Sequence, residues 1–230
     1  PGTRAAPPRP KTRPPLPLPG NPPQPDAVDV RPEPPVVDLE QQSPIFDWVS
    51  ETSRHVGTLV HRELDRLCRF GLSAALPPRE RVLLELAELG VPPDRCDAAC
   101  ERVLAALEHA LQDERGRWVL GIDTTRHESA SELALSGVID GRIVEGVIDR
   151  TFVDEEGTRW VVDFKTSTHA GGGLEAFLDE EVLRYRPQLT RYAQLMGLYD
   201  SERRVRAALY FPLLRQWREV ALSPVGQASA

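Results

Sequence analysis

The sequence has little of what marks secreted and membrane proteins. Only three of its 230 residues are cysteine, and it has no run of about 18 apolar residues, which excludes a membrane-spanning helix. Cys68, Cys96 and Cys100 are too few for a disulfide framework and suit a reducing compartment such as the cytoplasm. An excess of basic residues is also missing. The formal net charge is −7, so composition gives no electrostatic indication of a nucleic-acid partner.

Proline is distributed unevenly along the chain. Of the 22 prolines, 15 lie in the first 44 residues, where basic and acidic residues balance and bulky apolar residues are few. Such a segment cannot bury enough apolar surface to order itself. Residues 1–43 are therefore predicted to be a proline-rich, disordered linker, with a proline-rich ligand for a partner module as the alternative interpretation. The negative charge belongs to the rest of the chain.

The first half of the remaining chain has a helical pattern. Apolar residues recur at helical spacing, and proline pairs separate the segments. Ser43-Pro44 suits a helix start, because a hydroxyl cap precedes a proline at the first helical position. Three helices are predicted, at 44–70, 79–89 and 93–112.

Beyond Gly116 the pattern changes to strands. Short runs rich in β-branched and aromatic residues begin at 117, 128, 142 and 158 and predict three or four antiparallel strands. They are followed by a helix that is reset at Pro187 and by two late strands, at 174–199, 204–213 and 217–222. This order indicates an α/β (α+β) domain over 44–222, with a mixed central sheet flanked by helices and an N-terminal helical portion. Residues 223–230 are expected to form a flexible tail.

One predicted strand ends in an acidic and a basic residue. Asp163 and Lys165 are two apart, so on a strand their side chains point the same way. A carboxylate can hold a hard cation such as Mg²⁺, and a lysine can orient a water molecule or stabilise negative charge on a phosphate. An exposed salt bridge is the alternative. Asp149, on the preceding strand, is expected to lie close to Asp163, where a cation or a proton must separate the two carboxylates.

Two helices contribute a further pair of residues each. Gly57 and His61 lie four apart on the first helix, and Gln188 and Tyr192 lie four apart on the last, so each pair shares a helix face. Glycine lets another backbone approach, and histidine is a common metal ligand. A glutamine amide can bond to a phosphate or a catalytic group, and a tyrosine ring can stack on a base. A structural histidine and an ordinary amphipathic helix are the alternatives.

Taken in order, these pieces resemble the PD-(D/E)XK nuclease superfamily. The motifs are G-x-x-x-H at 57–61, G-x-x-D at 146–149, D-x-K at 163–165 and Q-x-x-x-Y at 188–192. Within the superfamily they look most like the RecB-like nuclease domain at the C-terminal end of AddA- and RecB-type helicase–nucleases, which belong to the UvrD/Rep helicase family. The resemblance implies a restriction-endonuclease-like core, with the proline-rich segment as a tether to a helicase domain of the same parent chain.

The resemblance also implies roles for individual residues. The metal ligands would be His61, Asp149, Asp163 and the backbone carbonyl of Phe164. The catalytic residues would be Asp149, Asp163, Lys165, Gln188 and Tyr192, with Lys165 as the catalytic lysine. The DNA contacts would come from Arg184, Arg186, Arg191 and Tyr192. Glu128 resembles, more loosely, an acidic residue ahead of the G-x-x-D strand.

The implied activity is hydrolysis of DNA phosphodiesters with Mg²⁺, for which Mn²⁺ would substitute. An exonuclease that acts on single-stranded DNA delivered by a helicase would serve double-strand-break repair and recombination in the cytoplasm, at the nucleoid, with an AddB- or RecC-like subunit as a further partner. No iron–sulfur cluster is expected, because no cysteine follows Cys100. A catalytically inactive scaffold that binds DNA or a partner subunit is the alternative function. The acidic surface predicts weak DNA affinity.

Overall fold

The computed structural model describes residues 44–73, 75–123, 128–169 and 171–222, with side chains from Glu51 onward. The predicted linker at 1–43 and tail at 223–230 lie outside these residues, so the domain bounds stay a prediction. The helices are α1 (Pro44–Phe70), α2 (Arg79–Glu88), α3 (Pro93–Gln112), α4 (Glu114–Leu120) and α5 (Leu174–Tyr199). The strands are β1 (Ala130–Ile139), β2 (Arg142–Val153), β3 (Arg159–Phe164), β4 (Val205–Phe211) and β5 (Gln216–Val220).

The helical first half follows the predicted pattern. The helix α1 begins at Pro44, and α3 begins at Pro93, which occupies a first-turn position where its missing N–H is not needed. The end of α2 differs from the prediction by one residue. The spacing of apolar residues and the positions of the prolines therefore predicted all three of these helices correctly.

A further helix, α4, occupies the run that begins at residue 117 and that we counted as the first of up to four strands. The Asp113 side chain accepts a hydrogen bond from the Gly116 amide at 2.9 Å, which caps the helix start. Gly121 ends the helix in the left-handed region, with a φ of 75°. A short apolar run does not distinguish a buried helix from a strand by periodicity alone, and here the capping residues decide.

The helix α5 runs through Pro187 without ending there, so the predicted reset is wrong. Proline removes one hydrogen-bond donor from a helix and disfavours the conformation of the preceding turn. The buried residues Leu189, Ala193 and Met196 lie beyond it and pack α5 onto the sheet. This packing outweighs the local preference of one proline.

The strands form one mixed sheet in the order β1-β2-β3-β4-β5. The neighbours β3 and β4 are parallel and are joined through α5, whereas the other neighbours are antiparallel. Asp140 and Gly141 form the two-residue turn between β1 and β2, with φ of 49° and 72°, as a type I′ turn requires. The predicted fold class is confirmed.

Two hydrophobic clusters cover the two faces of the sheet. Val162 and Phe164 of β3 pack under the helices α1 to α4, whereas Val161 packs against α5 on the other face. All six residues of β3 are buried, as expected for a strand covered on both faces. No helix within the described ranges is long and apolar enough to cross a bilayer.

Candidate functional site

The predicted site residues meet at one end of the sheet. Asp149 of β2 and Asp163 of β3 lie one position beyond the last regular pair of the β2–β3 ladder. His61 reaches this point from α1 on one face, and Gln188 reaches it from α5 on the other. Residues that are distant in sequence are therefore brought together by two helices packed on opposite faces of the same strands.

His61 contacts the end of β3 and Asp149 together. Its Nε2 atom lies 2.9 Å from the Phe164 carbonyl oxygen, and its Nδ1 atom lies 3.5 Å from Oδ2 of Asp149. The same Asp149 oxygen accepts a hydrogen bond from the Phe164 amide at 2.8 Å. Burial alone would lower the pKa of His61, but the hydrogen bond and negative charge of Asp149 outweigh it, so the pKa is raised. His61, Asp149 and the Phe164 backbone form one compact set.

Gly57, one turn before His61, lies where α1 approaches the chain beyond β3. A β-carbon at Gly57 would be 3.3 Å from Oγ1 of Thr166, which is a tight contact. The neighbour is thus a side chain, not the backbone that we expected. The small residue still lets α1 bring His61 close to Phe164.

Asp163 and Lys165 form the predicted pair on one face of the strand end. Nζ of Lys165 lies 2.7 Å from Oδ2 of Asp163, and only 16% and 5% of these side chains are exposed. The pair is therefore buried, which excludes the exposed salt bridge that was the alternative. Nζ also lies 3.9 Å from the centroid of the Tyr185 ring, a cation–π contact that the sequence analysis missed. Tyr185, Gln188 and Tyr192 are spaced i, i+3, i+7, so this helix face was the available signal.

Gln188 links Asp163 to Tyr192. Its Nε2 atom donates to Oδ1 of Asp163 at 3.2 Å and to the hydroxyl oxygen of Tyr192 at 3.0 Å. The Tyr192 ring lies against Gly146, where a β-carbon would be 2.5 Å from Cε1. The glycine of the G-x-x-D motif thus provides the space that Tyr192 occupies.

Crowded charges set the electrostatics of the site. Burial and the negative charge of Asp149 raise the pKa of Asp163 to about 6, although Lys165 opposes them. Burial alone would lower the pKa of Lys165, but the charge of Asp163 reverses this and raises it. Two neighbouring carboxylates in such surroundings favour a proton or a cation between them. The site can therefore accept positive charge beyond that of Lys165.

Glu132 of β1 is a residue that the sequence analysis missed. Glu132, His61 and Asp149 form a group whose ligand atoms all lie within 4.8 Å of one another. Burial and the charge of Asp149 raise the pKa of Glu132. Asp163 does not belong to this group, because its oxygens face Gln188 and Lys165.

The β1–β2 ladder is interrupted where these acidic residues lie. The positions on both sides are paired, but Glu132, opposite Asp149, has a φ of 50°, which residues other than glycine rarely adopt. Ile148 of β2 packs on the α5 side, whereas Phe152, an even number of residues further, packs under the other helices. The strand therefore changes face near Asp149 although the register is the same on both sides, and the irregularity places both carboxylates beside His61.

The arginines predicted to bind DNA do not all lie together. Arg186 and Arg191 line one groove beside α5. Arg184 instead lies 3.5 Å from the Glu181 carboxylate and near the Tyr185 ring. The structure thus brings two of the three arginines to a common surface.

Glu128, the loosely matching acidic residue, lies outside the His61 group. Its carboxylate pairs with Arg159 at 3.3 Å and with Arg203 at 2.9 Å. Both arginines also pair with Asp200. Glu128 therefore belongs to an ion-pair network that joins the segment before β1 to β3 and the α5–β4 connection.

The donor set fits a hard divalent cation. Carboxylate and backbone carbonyl oxygens are its usual protein ligands, and the imidazole nitrogen of His61 adds a donor that first-row transition metals also bind. Nε2 of His61 and the Phe164 carbonyl oxygen lie at a hydrogen-bond distance of 2.9 Å, so a cation held by both would take the place of the hydrogen between them. Glu132 and Asp149 supply the negative charge that such an ion requires.

A mixed sheet flanked by helices, with Asp-x-Lys at the end of its central strand and a histidine and a second aspartate beside it, defines a restriction-endonuclease-like α/β domain. The sequence model of the PD-(D/E)XK nuclease superfamily matches residues 44–224. The chain belongs to this superfamily, and the predicted membership is confirmed at that level.

Further comparisons add little to this result. No curated protein matches the chain. Among solved structures, one titled "Crystal structure of SSO0001" is 15% identical, with 77% of each chain covered and a TM-score of 0.30. The protein VC1899 from Vibrio cholerae is 12% identical, with 78% of this chain and 49% of that chain covered and a TM-score of 0.25. At these TM-scores neither likeness supports a further conclusion.

Proposed function

We propose that this protein is a Mg²⁺-dependent DNA nuclease, with Mn²⁺ as a substitute metal. The observation that carries the proposal is the convergence of His61, Asp149 and the Phe164 carbonyl beside the buried Asp163–Lys165 pair. Membership of the PD-(D/E)XK superfamily supports it, because these proteins are in general metal-dependent nucleases.

Each residue has a task that its position allows. The groups that would hold the cation are His61, Asp149, Asp163, the Phe164 carbonyl and, as an added donor, Glu132. A bound cation supplies Lewis acidity toward the scissile phosphate and makes water more acidic. Lys165, held by Asp163 and Tyr185, orients the attacking water or stabilises the negative charge that develops on the phosphate. Gln188 and Tyr192 keep Asp163 in place.

The finer assignment is an exonuclease that acts on single-stranded DNA. The order and spacing of the four motifs support a RecB-like nuclease domain of an AddA- or RecB-type helicase–nuclease that serves double-strand-break repair and recombination in the cytoplasm, at the nucleoid. The helicase domain would belong to the same parent chain, and a subunit like AddB or RecC would complete the complex. ATP-dependent DNA unwinding by the parent polypeptide would test the helicase assignment.

The nuclease assignment is tested with end-labelled, linear single-stranded DNA and Mg²⁺ or Mn²⁺. We expect degradation that EDTA stops and that Lys165→Ala and Asp149→Asn each reduce by about 100-fold or more. Glu145→Gln is the matched control, because Glu145 is exposed on the same strand as Asp149. An exonuclease leaves a circular single strand intact while it degrades the linear form.

The outcomes separate the nuclease from the scaffold. Wild-type cleavage in EDTA, or full activity of both site variants, would overturn the proposed chemistry. Thermal melts of each variant show whether lost activity reflects lost folding. If the chain neither cleaves DNA nor binds Mn²⁺ in calorimetry, the inactive scaffold is the better assignment.

A further inference from the structure

A groove of about 570 Å³ runs between α5 and the β1–β2 hairpin. Ile139, Val144 and Pro187 give it an apolar floor, and guanidinium groups come from both walls, Arg142 from the hairpin and Arg186 and Arg191 from α5. Thr190 and Gln194 add polar groups from the same helix, and Asp140, at the hairpin turn, is the carboxylate of the lining.

The three arginines of the groove lack carboxylate partners. Most arginines of the described chain are neutralised by a carboxylate, as Arg159 is by Asp200. Within the described ranges, by contrast, the side chains of Arg142, Arg186 and Arg191 have neither an ion pair nor a hydrogen-bond partner. Three arginines without an ion pair therefore line one groove, beside the carboxylate of Asp140, in a chain whose net charge is −7.

Buried polar atoms on the α5 wall also lack partners. Among the described residues, Nε of Arg186 and Oγ1 of Thr190 are shielded from solvent but have no hydrogen-bond partner. A ligand in the groove would contact the accessible ends of the guanidinium groups, not these shielded atoms. The fitting ligand thus carries acceptor oxygens and negative charge on one side and apolar surface on the other.

We propose that this groove binds the sugar–phosphate backbone of a single DNA strand and leads the strand to the nuclease site. The ligand assignment rests on the proposed function, since the strand is the nuclease's substrate. A single strand combines phosphates, which arginines bind, with bases that lie against apolar and aromatic side chains. The groove adds Arg142 to the predicted DNA contacts and leaves out Arg184, which is paired with Glu181.

The groove and the site are connected along β2 and α5. Arg142 and Val144 line the groove, Gly146 contacts Tyr192, and Asp149 lies in the site. Asp149 lies seven positions after Arg142 on β2, which corresponds to about 23 Å, so the DNA strand would contact the protein over several nucleotides. The same α5 turns carry groove residues on one side and, on the adjacent side, Gln188 and Tyr192, which reach Asp163.

The test measures binding without cleavage. A fluorescein-labelled thymidine oligonucleotide of about 16 nucleotides is titrated with the chain in EDTA at several salt concentrations, and anisotropy is recorded. The groove variant is Arg142→Gln/Arg191→Gln. The matched control is Arg95→Gln/Arg204→Gln, since these arginines also lack an ion pair within the described residues and lie outside the groove lining.

We expect the groove variant to bind at least about fivefold more weakly than the control, with a salt slope about 1.4 smaller, because each single-strand phosphate contact contributes about 0.7. Equal affinity and equal slope in the two variants would overturn the proposal, as would a wild-type chain without saturable binding at low salt. If the variant loses binding to polyglutamate and not to the oligonucleotide, an acidic protein segment is the ligand and the DNA assignment is wrong.

The two proposals fail in different ways. If the groove variant loses DNA binding but the wild-type chain does not cleave DNA with any divalent metal, the groove stands and the nuclease assignment fails. If the wild-type chain cleaves DNA and the groove variant binds as the control does, the nuclease stands and the groove fails.

Discussion

The Tyr192 ring lies against Gly146 so closely that a β-carbon at position 146 would be 2.5 Å from Cε1. Gly146 is held in the ladder between β1 and β2, so it cannot easily move away. Tyr192 accepts a hydrogen bond from Gln188, which also donates to Asp163. A side chain at Gly146 would therefore displace Tyr192 and disturb Asp163 through two hydrogen bonds.

We expect Gly146→Ala to lower DNA cleavage by at least about tenfold, because small displacements of positioning groups reduce rates strongly. Its cost in stability should be about 1–3 kcal/mol, as for other overpacked sites. Gly137→Ala is the control, since its β-carbon would meet only leucine side-chain ends of α5, at 3.0 and 3.1 Å. Rates of oligonucleotide cleavage measure the activity of both variants, and urea melts measure their stability. Equal loss of activity in the two variants would show that displacement of Tyr192 is not the cause of the lost activity.

Asp163 should make the metal-free protein less stable as pH rises. Its pKa is about 6 in the folded protein against an ordinary 3.8, so the folded state binds the proton more tightly than the unfolded state. The stability contribution is thus complete below about pH 4 and is lost as pH rises through about 6. Asp163→Asn should remove this pH dependence, but it also leaves the buried Lys165 ammonium without its carboxylate partner, so the change in slope with pH and not the absolute free energy of unfolding identifies Asp163. Urea melts in EDTA over this pH range measure the free energy of unfolding of wild type and of Asp163→Asn. If the stability of wild type rises with pH and that of Asp163→Asn rises in parallel, the pKa assigned to Asp163 is wrong.

A bound metal should stabilise wild type more than Asp163→Asn. A cation that binds only the folded state stabilises wild type by mass action, about 2.7 kcal/mol at a concentration 100 times the Kd. We expect Mn²⁺ to raise the Tm of wild type and of Asp179→Asn, which changes an exposed carboxylate on α5. The Tm of Asp163→Asn should respond much less, because a neutral amide replaces the buried carboxylate. A full Mn²⁺ response of Asp163→Asn would remove Asp163 from the proposed ligands.

The parts of this site that obey regular periodicity could be predicted from sequence, and the irregular parts could not. Two-residue spacing placed Asp163 and Lys165 on one face, and four-residue spacing placed Gln188 with Tyr192. Glu132 could not be predicted as a site residue, because its left-handed backbone and the local break in the ladder interrupt the alternation on which a strand prediction depends.

The secondary-structure errors have a similar origin. The helix α4 depends on one side-chain cap, Asp113, and one left-handed glycine, Gly121, which a short apolar run does not reveal. Continuity of α5 through Pro187 depends on packing against the sheet, which local propensity does not contain.

Glu132 should contribute to metal binding, whereas Glu128 should not. Glu132 lies with His61 and Asp149, so Glu132→Gln should weaken Mn²⁺ binding by about tenfold or more. Glu128→Gln should leave metal affinity unchanged and cost at most about 1 kcal/mol of stability, because Glu128 is half exposed and both Arg159 and Arg203 keep their ion pairs with Asp200. Isothermal titration with Mn²⁺ measures the metal affinity of both variants, and thermal melts measure their stability. If the Kd changes in Glu128→Gln and not in Glu132→Gln, the acidic position implied by the family resemblance is the functional one.

Gly116 lies where the helical half of the domain contacts the sheet. Oδ2 of Asp113 accepts hydrogen bonds from the Gly116 amide and from the Tyr210 hydroxyl of β4, both at 2.9 Å. Burial and the charge of Asp113 raise the pKa of Tyr210, so its hydroxyl keeps the proton that it donates. A β-carbon at Gly116 would be 2.3 Å from the Ala110 carbonyl oxygen and 2.4 Å from the Tyr210 hydroxyl oxygen.

Gly116→Ala should therefore destabilise the domain by about 3 kcal/mol or more, because one of the obstructing atoms is helix backbone that cannot rotate away. For a domain of this size the Tm should fall by roughly 6–12 °C. Gly197→Ala is the matched control: Gly197 is also helical, no atom lies within 4 Å of its β-carbon position, and alanine should raise stability there by about 0.5–1 kcal/mol. Thermal and urea melts of the two variants give the comparison. Near-equal Tm values would mean that the α3–α4 junction can shift as a unit, and that the contacts among Asp113, Gly116 and Tyr210 do not fix the helical half on the sheet.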